Sequence, residues 1–258
     1  MNEIKTDEFL DFFTENKDRV WVFLDTETLG FNATKHQMTE VAAKAVRFSG
    51  LRSEEVSCYH EKAKLLSVTR LRMGRPYRGK GLSYQDIMKM TNYGEPIKDR
   101  QYLEEEQILG ELFNFLEQFD DPILVAHNSS FDIRFLNTRH NVYYSNKNPY
   151  EVLDTLKVMK RYFTSLVATE SKRYKHRWLA AREKKHILEM RRIRKSLQRK
   201  KKKMSLKLGN VAESLGISAE GWHSAKFDVD TLISTTEVML KLFKENSGKS
   251  LFPERHFL

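Results

Sequence analysis

Apolar residues along the chain fall into blocks with two distinct periods. Trp21-Val22-Phe23-Leu24 is a continuous run of β-formers that reads as a buried strand, opening into a loop at the polar stretch Asp25 to Thr28 and Gly30. Val41 to Phe48 alternates in character, and Glu55 to His60 supplies a segment able to pair with it antiparallel. Within Leu103 to Phe119, Leu109, Leu112, Phe113 and Leu116 recur at helical spacing, so an amphipathic helix is expected there, stopped before Pro122. Ile123 to Ala126 is a second buried strand, followed by a helical pattern from Phe131 to Arg139 and a short strand at Val152-Leu153. Phe9, Leu10, Phe12 and Phe13 predict a short helix packed ahead of the first strand. Strands alternating with helices imply a layered α/β fold.

Two segments break this rhythm. Lys62 to Arg100 mixes Pro76 and Pro96 with glycines and basic residues, and reads as loop with a helical turn around Ser83 to Met90. Tyr150 to Leu208 contains neither Pro nor Gly and is rich in Lys, Arg, Leu, Glu and Ala, all good helix formers. With Ile187, Met190, Ile193 and Leu197 at spacings of three and four, it predicts one or two long helices projecting from the body. The rival reading is a disordered insert, since blocks of like charge repel.

Charge changes that picture. Between Lys172 and Lys203 stand sixteen Lys/Arg against Glu183 and Glu189, a net +14 in a chain of net +10, which leaves −4 for the remainder. A block this cationic suits a polyanion, because phosphate contacts release condensed counterions. At 258 residues, 40 % hydrophobic and 11 % aromatic, the chain can bury a sizeable core as one domain with a basic helical insertion at about 165–204. A single cysteine, Cys58, rules out an internal disulfide and a cysteine zinc site and is expected to be a small hydrophobe in a strand. No apolar run approaches the ~20 residues of a membrane span. No secretory signal is visible either, so an intracellular protein, cytoplasmic or nucleoid-associated, is expected.

Three short pieces carry candidate chemistry. Asp25 and Glu27, two apart at a strand end, share a face roughly 7 Å apart along the chain. Two such acids repel unless a cation sits between them, although solvated acids are common at strand ends. Asp132 opens a helix, in Val125-Ala126-His127-Asn128-Ser129-Ser130-Phe131-Asp132, where helix capping alone could account for it. His223 precedes Asp228 by five in His223-Ser224-Ala225-Lys226-Phe227-Asp228, a spacing of little specificity by itself.

Taken together, Leu24-Asp25-Thr26-Glu27-Thr28-Leu29-Gly30, then Ala126-His127-Asn128 with Phe131-Asp132 and Phe135-Leu136, then His223 with Ala225 and Asp228 resemble the three motifs of the DEDDh (DnaQ-like) 3'→5' exonucleases. That family includes the proofreading subunit of bacterial DNA polymerase III. The resemblance runs from about Val20 to Leu240, and takes in Val152 to Leu156 and Leu206 to Ile217. It implies a ribonuclease H-like fold, with a central mixed sheet flanked by helices, and stepwise release of 5'-mononucleotides from a 3' end. Two Mg²⁺ or Mn²⁺ ions ~3.5–4 Å apart would offset the charge that builds on the phosphate and its flanking oxygens. By resemblance, Asp25 bridges the ions, Glu27 and Asp228 complete the tighter site, Asp132 contributes through water, and His223 is the general base. Ser224, four before Asp228, stands where a sister subfamily carries tyrosine, which favours the histidine subtype.

Other assignments are looser. Thr28 and Leu29 fall where the family meets the terminal nucleotide, but Leu29 replaces a threonine common there. Asn128 either touches that nucleotide or serves the turn. His127 reads as structural and Asp154 as a helix cap outside the metal set. Asp230 is expected on the solvated side of the last helix. The basic segment fits a grip on nucleic acid, with Arg191, Arg192, Arg194 and Lys195 among its contacts. It also fits docking onto an acidic protein of replication or repair, or a nuclear-import signal. The expected partner is single-stranded or 3'-ended DNA. An exoribonuclease with the same site, and a nucleic-acid-binding scaffold with a silent core, are the alternatives.

Overall fold

A computed structural model describes residues 6–65, 102–143, 150–160, 206–218 and 224–245, together with the isolated helical positions Lys89 and Leu179. The expected turn at Ser83 to Met90, most of the basic insertion and His223 lie outside the described residues. Among these residues the ordered elements are α1 (Thr6–Asn16), β1 (Trp21–Thr28), β2 (Met38–Ser49), β3 (Arg52–Lys62), α2 (Glu105–Leu116), β4 (Ile123–Ala126), α3 (Ser129–Tyr143), β5 (Glu151–Asp154), α4 (Leu208–Ser214) and α5 (Ala225–Glu245). The strands form one sheet in the order β3-β2-β1-β4-β5. β1, β2 and β3 run antiparallel, whereas β4 and β5 join parallel to β1. The sheet is therefore mixed, as expected.

Strand alternation sorts the core into two layers. Trp21 and Phe23 face the side where α1 and α5 pack, among Phe9, Phe13, Val229, Leu232 and Leu240. Val22 and Leu24 face the opposite side, with Ile108, Leu109 and Leu112 of α2 and Leu136 of α3. β4 is buried along its whole length, as a central parallel strand covered on both faces should be.

β1 differs from the expected strand in one consequential way. It does not open into a loop after Leu24 but continues to Thr28, because β2 starts at Met38 and provides partners that far. The bulge falls between Glu27 and Thr28, past both acids, so Asp25 and Glu27 keep strict alternation with Trp21 and Phe23. Two smaller points concern single residues. Cys58 lies in β3 as expected, but its side chain is exposed on the sheet's edge strand. Asp230 lies on the solvated side of α5 as expected, and there its Oδ1 accepts a 2.6 Å hydrogen bond from Lys44 Nζ of β2.

A buried ion pair fastens the second helical layer. Glu105 opens α2 at 1 % exposure, and its Oε1 accepts both the Met38 N–H at 3.0 Å and the Arg139 Nε–H at 2.8 Å. Arg139 of α3 also donates from Nη2 to Glu105 Oε2, giving a two-pronged pair with a strand amide attached. Glu105→Ala strands a guanidinium and an amide in the interior. It is expected to cost ~3–5 kcal/mol in urea unfolding; a loss under ~1 kcal/mol, the size of an exposed pair, would contradict that reading.

Candidate metal centre

The alternation of β1 that buries Trp21 and Phe23 beneath α5 also aims Asp25 and Glu27 at that helix. α5 begins at Ala225 and carries Asp228 in its first turn, where a carboxylate is favoured by the helix N-terminus. Carboxylate oxygens of Asp25, Glu27 and Asp228 come within 4.8 Å of one another, and each residue is half-buried. Hard oxygen donors at this spacing suit Mg²⁺ or Mn²⁺. Bound there, divalent ions would offset the charge building on a phosphate under attack.

Asp132 reaches the same strand from the opposite face. Thr26, between the two acids, points toward α3, and its backbone N–H and Oγ1–H donate to Asp132 Oδ1 at 3.1 and 2.7 Å. Asp132 is 3 % exposed and stands outside the close trio. One strand thus presents two ligand candidates to α5 and a clamp for the fourth acid to α3.

Crowded acids in a desolvated setting resist ionisation. Burial drives the Asp25 carboxyl well above the ordinary carboxylate range, helped by the charges of Asp132, Glu27, Asp228 and Glu40. Burial, then Asp228, Glu40 and Asp132, pushes Glu27 up to about 8, against a lowering by Lys62. Asp132 rises to about 7, chiefly through burial, while its bonds from Thr26 hold it back. These folded-state values exceed those of an unfolded chain, so the metal-free native state binds more protons than the unfolded one. The contribution of these three acids to stability therefore falls as pH climbs from about 4.5 through 8. A divalent cation displaces those protons and reverses the penalty. The melting temperature of metal-free protein is expected to drop between about pH 5.5 and pH 8.5, and the gain on adding Mn²⁺ to be larger at the higher pH. An equal gain at both would remove the carboxylate cluster as the binding site.

The remaining candidates separate clearly. His127 is structural: Nδ1 lies 3.1 Å from Thr155 Oγ1 and Nε2 donates to the Leu206 carbonyl at 2.7 Å. Burial lowers its pKa, opposed by the Leu206 carbonyl, so the ring is held neutral. Asp154 caps the helix that follows it, accepting the Leu156 N–H at 3.0 Å and the Asn128 N–H at 3.1 Å. Asn128 takes the left-handed conformation at φ 68°, a turn geometry Asn tolerates, and its side chain is exposed. Thr28 Oγ1 donates to the Gly30 carbonyl at 2.9 Å, while Leu29 is 1 % exposed and offers a ligand almost no surface. Arg191, Arg192, Arg194 and Lys195 lie outside the described residues.

Sequence reading missed two features. Glu40 of β2 sits opposite Glu27 at 1 % exposure; the strand was expected to begin one residue later, at Val41. Phe31 is 76 % exposed just past Gly30, its ring 6.3 Å from that of Phe131, and its carbonyl accepts Arg134 Nη2–H at 3.2 Å. A lone aromatic after a glycine gave no signal of either contact.

No family model matches the sequence, and no curated protein matches it significantly. Solved structures match its shape. The zinc-bound form of an Escherichia coli exonuclease I–single-stranded DNA complex superposes with a TM-score of 0.52 at 16 % identity, over 86 % of this chain and 40 % of that one. The same enzyme bound to a dT13 oligonucleotide gives 0.51 at 14 %, over 85 % and 40 %. A further exonuclease I structure, one that suggests how processivity is achieved in that enzyme, gives 0.50 at 15 %, over 90 % and 45 %. The fold is therefore the ribonuclease H-like α/β fold, and the chain spans under half the length of these structures.

Proposed function

We propose that this chain is a divalent-metal-dependent 3'→5' exonuclease acting on single-stranded or 3'-ended DNA. The observation that carries the reading is the meeting of Asp25, Glu27 and Asp228 over the centre of the sheet, with Asp132 clamped behind the same strand. Buried like charges have no structural purpose there, since folding would be easier without them; a cationic cofactor accounts for their presence. Asp25, Glu27, Asp132 and Asp228 hold two Mg²⁺ or Mn²⁺ ions in this reading, and His223 takes the proton from the attacking water. Two of the exonuclease I structures that share the fold are complexes with single-stranded DNA and with a dT13 oligonucleotide, which favours DNA over RNA. Its kinship with polymerase-proofreading subunits, a place in the cytoplasm or on the nucleoid and a replication or repair partner belong to the same proposal.

The basic segment gives this enzyme a second handle on its substrate. Lys172 to Lys203, including Arg191, Arg192, Arg194 and Lys195, grips phosphates away from the cleavage site. One digestion series tests both parts, with 5'-labelled single-stranded DNA, duplex DNA and RNA, each with Mg²⁺ and with chelator. A ladder shortening by single nucleotides on single-stranded DNA, absent in chelator, is the expected result. Neutralising Arg191, Arg192, Arg194, Lys195 and Arg199 to Lys203 should flatten the salt dependence, at ~0.7 log units per lost contact on a single strand. No digestion of any substrate would sink the enzyme reading; an unchanged salt slope would assign the segment to a protein partner instead.

A further inference from the structure

Glu40 is 1 % exposed in β2, directly opposite Glu27 of β1. A carboxylate this enclosed persists only when its oxygens find partners. His60 Nε2 lies 2.8 Å from its Oε1, and Lys62 Nζ lies 3.8 Å from its Oε2, an oxygen that makes no hydrogen bond. Both partners come from the neighbouring strand β3 and tie Glu40 within the sheet.

The third contact leaves the sheet. Ser224 Oγ–H donates to Glu40 Oε1 at 3.1 Å. Ser224 immediately precedes α5, and its carbonyl accepts the Asp228 N–H at 2.9 Å. A serine there ordinarily turns its hydroxyl oxygen onto the N–H groups of its own first helical turn. Here the hydroxyl is turned to the strand instead. The residue on its other side is His223.

We propose that Glu40 is a positioning residue for the reaction: by accepting the Ser224 hydroxyl it pins the residue beside His223 to the strand paired with β1. The proposal rests on the reading of His223 as general base. Asp228 has a separate anchor, because Ala225, Val229 and Leu232 at 0, 2 and 1 % exposure root α5 in the core. Losing the pin therefore frees Ser224 from β2 while the ligand trio stays in place. Proton transfer suffers and metal binding does not. A displacement that the metal site ignores still matters at the base, whose useful range is a single hydrogen-bond length.

The test compares kcat, KM and Mn²⁺ affinity for Ser224→Ala, Glu40→Gln, Glu40→Ala, His223→Ala and the His223→Ala/Ser224→Ala double variant. Ser224→Ala removes one hydroxyl and should fold normally, as its melting temperature will show. It should lower kcat by roughly 10–100-fold, the usual effect of losing an outer partner of a site, with KM and Mn²⁺ affinity within about twofold of wild type. Glu40→Gln keeps a carbonyl oxygen for the hydroxyl and should retain more turnover than Glu40→Ala. In the His223→Ala background Ser224→Ala should add less than about twofold, because the two losses act through one group. Wild-type kcat in Ser224→Ala overturns the proposal, as do losses that multiply in the double variant while His223→Ala alone is slow. Wild-type turnover in His223→Ala removes the base reading and this proposal with it.

Discussion

Asp25→Ala is expected to leave no measurable exonuclease activity while raising the melting temperature of the metal-free protein. Burial, then the charges of Asp132, Glu27, Asp228 and Glu40, disfavour the ionised form of Asp25. In the proposed reading its carboxylate is the ligand shared by both metal ions. A metal ion stabilises a transition state by several kcal/mol, so forfeiting its ligand costs at least ~10³-fold at 1.36 kcal/mol per decade. The same deletion removes the cost of burying Asp25 among those acids, so the metal-free variant should be the more stable near pH 8. Loss of activity with gain of stability is the signature of a ligand, and a merely structural acid would show loss of both. An active Asp25→Ala enzyme, or wild-type rates in chelator, would end the assignment.

Much of this arrangement was legible because strand periodicity is simple. Trp21 to Leu24 announced a buried strand, and a period of two then fixes Asp25 and Glu27 on one face wherever the strand runs on. What periodicity could not say is that the strand does run on. Asp25 to Thr28 are polar and read as loop, but their backbone is captured by β2 from Met38 onward. Pairing overrode local polarity. The helix pattern at Leu109, Leu112 and Leu116 held because those side chains form the second core layer, although α2 ends at Leu116, short of the expected Phe119.

Features that depend on a distant partner were not legible. Nothing in the sequence singled out Thr26; only α3 packing on the far face turns it into the donor pair for Asp132. Glu40 gave no signal in the sequence, since its value lies in register with Glu27 and contact with Ser224, 184 residues away. The ion pair that Asp230 makes on the solvated face was hidden because its partner Lys44 belongs to another element. Cys58 followed a general preference for burial that an edge strand does not enforce. The basic insertion announced itself by charge alone, and its shape and the position of His223 lie outside the described residues.

His223→Ala carries the second large effect, a fall in turnover of roughly 10²–10⁴-fold with metal binding retained. Two other sources of proton exchange compete for the same explanation, and the structure separates them. His127 is the nearest rival in the sequence motifs. Its Nε2 is committed to the Leu206 carbonyl and its Nδ1 to Thr155 Oγ1, so neither nitrogen is open to an attacking water. Replacing His127 should lower stability more than turnover. The raised carboxyls are the other rival, since Glu27 at about 8 and Asp132 at about 7 also titrate near neutrality. Their titration is coupled to metal: more Mg²⁺ displaces their protons and moves that part of the activity profile to lower pH. A histidine base gives an acid limb near ~6.5 that stays put once metal saturates. In wild-type enzyme at saturating Mg²⁺, kcat should rise with pH through such a limb, and in His223→Ala the limb should vanish along with the rate. A variant with near-normal turnover and the same limb would move the proton-transfer role to another group and leave the carboxylate cluster as the only part of the site still standing.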